Sequence, residues 1–75
     1  MNAKVEKKVG QNIRRLREKA GLSQEMLSAR LQVNGCDITR SALAKIEVGQ
    51  RHVYPDELML LKKILGVTYD DLLSI

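Results

Sequence analysis

Apolar residues recur along this chain at helical spacing, in runs that are opened by capping residues and cut off by glycines. That punctuation confines the fold to short helices. Val5, Val9, Ile13, Leu16 and Ala20 lie at such spacing with Lys and Arg opposite, which predicts a helix from about Lys4 to Lys19, stopped by Gly21. Gly10 falls inside that helix, where glycine is a poor choice. Ser23 caps a second helix, Gln24 to about Gln32, with Leu27 and Leu31 inward and Leu22 and Met26 beside them. Val33–Ile38 reads as a connection containing the turn dipeptide Asn34-Gly35. Thr39 caps a third helix, ended by Gly49. Pro55 suits the first position of a fourth, with Asp56 and Glu57 at the positive end of its dipole. Leu58, Leu61, Ile64 and Leu65 form its inward stripe before Gly66, leaving Met59 and Leu60 off the stripe. Thr68 and Asp71 resemble a capping box for a short last helix carrying Leu72 and Leu73.

Five short helices in one all-α domain over residues 1–75 follow from this pattern. The side chains agree: two Tyr, no Phe and no Trp leave an aliphatic core, which suits packed helices better than a β-sandwich. The same lack of aromatics argues against single-stranded nucleic acid, whose bases stack on aromatic rings. The formal charge is +4 and unevenly spread. Eleven of the thirteen Lys and Arg residues lie at or before Arg51, whereas four of the nine acidic residues follow it. A polyanionic partner would therefore meet the first three helices. One cysteine, Cys36, cannot form an intrachain disulfide and fits a reducing cytoplasm. The charged first ten residues do not read as a secretory signal, and no run is long enough to span a membrane. A cytoplasmic location is expected.

The third helix, T-R-S-A-L-A-K-I-E from Thr39 to Glu47, splits into two faces. Ala42, Leu43 and Ile46 lie together, while Arg40, Ser41, Ala44 and Lys45 point the other way. That outer face is rich in donors and has little bulk at its middle, so it can enter a DNA major groove. It suits a solvated amphipathic helix equally, and the stretch alone does not decide between the two.

The order of three motifs decides more. L-S-Q-E-M-L (Leu22–Leu27), R-S-A-L-A-K-I-E-V-G (Arg40–Gly49) and L-L-K-K-I-L-G-V-T-Y-D-D-L-L (Leu60–Leu73) resemble the Cro/CI-type helix-turn-helix regulators, the XRE family. The resemblance runs from about Gly10 to Leu73. It implies a single five-helix, lambda-repressor-like DNA-binding domain, with the helix-turn-helix pair over about residues 23–49 and helix 39–48 in the major groove. It further implies base contacts at Arg40, Ser41, Ala44 and Lys45 and phosphate contacts at Gln24, Thr39, Gln50 and Arg51. Arg17 and Glu47, each bordering an apolar stripe, match a pair of residues that the family often joins as a partly buried ion pair. One departure is clear: V-N-G-C-D-I (Val33–Ile38) makes the turn between the second and third helices about five residues longer than the family pattern.

The expected function is sequence-specific binding of double-stranded DNA by a transcriptional regulator, a repressor of a prokaryote or phage. One such domain contacts a half-site, so a homodimer on a palindrome is expected. Met59, Leu60, Tyr69, Leu72 and Ile75 are the candidates for its contact, or else some of them simply close the core. A protein-interaction module, such as an antitoxin or adaptor, can reuse the same fold. An enzyme is the weakest reading: one His, one Cys and the helix-start residues Asp70 and Asp71 make no catalytic or metal-binding constellation. No cofactor, metal or small-molecule ligand is implied.

Overall fold

The computed structural model describes residues 2–75, so Met1, the first residue of the expected domain, lies outside the described residues. Five helices follow in order: α1 (Ala3–Lys19), α2 (Gln24–Val33), α3 (Arg40–Glu47), α4 (Pro55–Leu65) and α5 (Tyr69–Leu73). There is no strand among the described residues. Local chemistry sets each start. The side chains of Ser23, Thr39 and Thr68 accept from the backbone N–H groups of Met26, Ala42 and Asp71, pairing donors that a first turn leaves open. Asn2 does the same for α1, and Pro55 opens α4, where its missing N–H costs nothing.

One aliphatic core joins all five helices. Ile13, Leu27, Leu31, Ile38, Leu43, Leu61 and Leu72 are fully buried, and Ile46 is nearly so. α1 is the central strut and packs on α3 and α5, while α2 packs on α3 and α4. Buried Asn12 of α1 donates to the backbone carbonyls of Leu72 (3.0 Å) and Ser74 (2.8 Å), tying down the end of α5. Against the expected pattern, Ala20 is exposed as the C-cap of α1, and Met26 is 47% exposed.

The long connection is an ordered part of the fold. α2 runs to Val33, and the Cys36 and Gly35 N–H groups return to the carbonyls of Leu31 and Gln32. This is a Schellman closure with Gly35 in the left-handed region at φ +83°. The chain then turns so that Ile38 N–H reaches Cys36 C=O, while the Gln32 amide donates to Ile38 C=O. Ile38, read from sequence as part of a turn, is a core residue with no exposure. Burial pushes the half-buried Cys36 thiol above its ordinary pKa, which suits an inert side chain.

Candidate nucleic-acid interface

α3 presents its polar row to solvent because its apolar row is fixed. Leu43 and Ile46 are in the core, which turns Arg40, Ser41 and Lys45 outward and leaves Ala44 half-buried between them. Thr39 spends one oxygen lone pair on the cap, and its own O–H is not used there. Gln50 is exposed directly after the helix, its N–H held by the Lys45 carbonyl.

Behind this face stands a buried polar cluster. Arg17 of α1 donates to both carboxylate oxygens of Glu47, from Nε at 2.7 Å and Nη2 at 3.0 Å, and from Nη1 to the Leu22 carbonyl at 2.8 Å. The hydrogen bond to Glu47 is the main reason that the Arg17 pKa rises above its already high ordinary value. Gln24, the first residue of α2, donates from Nε2 to Glu47 Oε1 at 3.0 Å. α1, α2 and α3 thus meet at one carboxylate. No buried side-chain polar atom among the described residues lacks a partner.

A second ion pair, not foreseen from the sequence, gives Arg51 a structural partner. Its guanidinium donates to both Glu57 oxygens, at 3.0 and 3.1 Å, and to the His52 carbonyl at 2.8 Å. Arg51, expected on phosphate, fastens the loop after α3 onto α4 through Nη1 and Nη2, and its side chain keeps 28% exposure. Burial pushes the Glu57 carboxyl up, but the hydrogen bond from Arg51, the Tyr54 N–H and the Arg51 charge together outweigh it. Its pKa falls below the ordinary carboxylate value. His52 pairs with Glu6 of α1, so the same loop is also held from the other side. A signal for the Arg51 pair was present: Glu57 stands three residues after the helix cap, where a carboxylate turns back toward the preceding loop.

The candidate dimer residues separate. Met59 is 61% exposed, Tyr69 41% and Ile75 83%, whereas Leu60 is half-buried against the core. Leu72 has no exposure and has no surface to offer a partner, so that expectation is corrected. Its neighbour Leu73, 43% exposed, faces out instead, on the same side of α5 as Tyr69. Among the described residues no group of His, Cys, Asp or Glu is placed to hold a metal ion, and no helix is long and apolar enough to cross a membrane.

Comparison with known proteins agrees with this arrangement. The helix-turn-helix family model matches residues 13–72. The control protein C.BamHI of Bacillus amyloliquefaciens is 38% identical over 66 residues, covering 87% of this chain and 75% of its own length. The crystal structure of the DNA-binding domain of BldD is similar with a TM-score of 0.81 at 25% identity, over 97% of this chain and 99% of that one. The chain belongs to the Cro/CI-type (XRE) helix-turn-helix family.

Proposed function

We propose that this protein is a transcriptional regulator that binds double-stranded DNA sequence-specifically, acting as a repressor and as a dimer on a palindromic operator. The observation that carries this reading is the outward row of α3, where Arg40, Ser41 and Lys45 are exposed on a helix whose other side is locked in the core. Arg40 and Lys45 donate to guanine O6 and N7, Ser41 donates or accepts, and Ala44 meets a thymine methyl or leaves room for the groove. Gln24, Thr39 and Gln50 contact phosphate and set the register. The family match and the relative's name as a control protein support regulation, and the solved DNA-binding domain of the same fold supports DNA as partner. The repressor assignment rests on the family resemblance, and a cytoplasmic site of action follows from DNA as the partner.

The dimer assignment rests on exposed apolar side chains of α4, α5 and the C-terminal residue, Met59, Tyr69, Leu73 and Ile75. The domain measures 30 × 22 × 20 Å. Each extent is shorter than one helical turn, so two copies can occupy half-sites roughly 34–36 Å apart without overlapping. Binding of a labelled duplex measured across a salt series tests the class of partner. Affinity should fall roughly ten- to hundredfold between about 50 and 200 mM salt, because Lys and Arg release condensed counterions on binding. Binding that is flat in salt, or absent, would contradict the DNA reading and turn attention to a protein partner.

A further inference from the structure

The shared carboxylate of Glu47 has a consequence for the binding face. Glu47 is only 3% exposed, behind the α3 backbone, so it cannot itself touch a nucleic acid. It does touch Gln24, which is half-exposed at the first turn of α2. A carboxylate accepts hydrogen bonds and donates none, so the Gln24 group facing it must be the NH2 end of the amide. That end carries two N–H bonds, and Glu47 takes one. The second belongs to the same nitrogen and lies in the same amide plane, so its direction is fixed once the first is made. Arg17 anchors the carboxylate in turn with two hydrogen bonds.

We infer that Glu47 is a positioning residue for DNA binding. It orients the Gln24 amide so that the second N–H is presented to a phosphate oxygen, and Arg17 holds Glu47 in place for that task. The inference rests on the DNA-binding reading proposed above and gives the buried ion pair a part in affinity besides joining helices. A flexible, unheld glutamine would lose rotamer freedom on binding, whereas this one is already placed. Arg17 also offsets the Glu47 charge, which would otherwise repel a phosphate close to Gln24.

The test is a double-mutant cycle on an operator selected by the wild type, with Gln24→Ala, Glu47→Gln and both together. Glu47→Gln keeps the side-chain volume but removes the charged acceptor. It should weaken binding about three- to tenfold when Gln24 is present, the range of one hydrogen bond, and hardly at all when residue 24 is Ala. Equal weakening in both backgrounds would overturn the inference, because a purely structural effect does not depend on Gln24. A direct measurement covers the case in which Glu47→Gln unfolds. In the free wild-type protein one Gln24 side-chain N–H should exchange slowly with solvent, and the second should become protected only on the duplex. Two freely exchanging protons in the free protein would overturn the positioning role while leaving DNA binding intact. Failure of the wild type to bind any duplex would instead overturn the functional reading, and this inference with it.

Discussion

Gly10 sits where α1 crosses the end of α3. A Cβ at this position would run into the Ile46 carbonyl oxygen and lie 3.0 Å from that of Glu47. Both obstacles are backbone, so they cannot swing aside as a flexible side-chain end could. The residue that looks like a flaw in a helical sequence is therefore what lets α1 approach α3 closely enough for Arg17 to reach Glu47. In an ordinary exposed helix Gly→Ala gains about 1 kcal/mol. Here Gly10→Ala should instead lose about 2 kcal/mol or more, as overpacking outweighs propensity. Urea unfolding of the two proteins checks this, and a stabilised variant would show that the crossing is not tight. The same logic separates the arginines. Arg17 and Arg51 have bidentate carboxylate partners and serve the scaffold, whereas Arg40 has none among the described residues and is exposed on α3.

At the scale of the element, the segment between α2 and α3 carries the main structural novelty. Although it departs from the family pattern, it closes the end of α2 with a Schellman turn and adds a core side chain. Ile38→Ala should cost about 2–5 kcal/mol, the range for emptying a fully buried aliphatic site. Val33→Ala, at a side chain 87% exposed in the same segment, should stay within about 0.5 kcal/mol of the wild type. Equal, small losses at both positions would mean that the connection is not part of the core. Helix starts and stops were legible because caps and glycines act over three or four residues, within reach of a sequence reading. The outward row of α3 was legible because eight residues suffice to separate two faces. α5 has only five residues, too few for its period to distinguish Leu72 from Leu73, and Leu72 faces the core. Spacing places the Glu57 carboxylate back toward the loop, but that Arg51 meets it and that Ile38 is buried depend on the path of loops through space, which spacing does not encode.

At the scale of the whole molecule, rigidity and charge work toward one surface. α3 is gripped from behind by the Arg17–Glu47–Gln24 cluster, and the loop after it by Arg51–Glu57 on one side and His52–Glu6 on the other. The outward row of α3 and Gln50 are thus carried on a frame fixed to α1 and α4. Such pre-organisation favours specific binding, because little freedom is left to lose on docking. On the proposed function, α3 reads base edges with Arg40. This is tested most directly by selecting bound sites from random duplex DNA at one fixed, moderate salt concentration, with wild type and Arg40→Ala side by side. The account predicts an enriched inverted repeat for the wild type, relaxed in Arg40→Ala at one position of each half-site. The penalty against the wrong base there should fall by about 1–3 kcal/mol. No enrichment, or the same base preference at every position in both proteins, would contradict it.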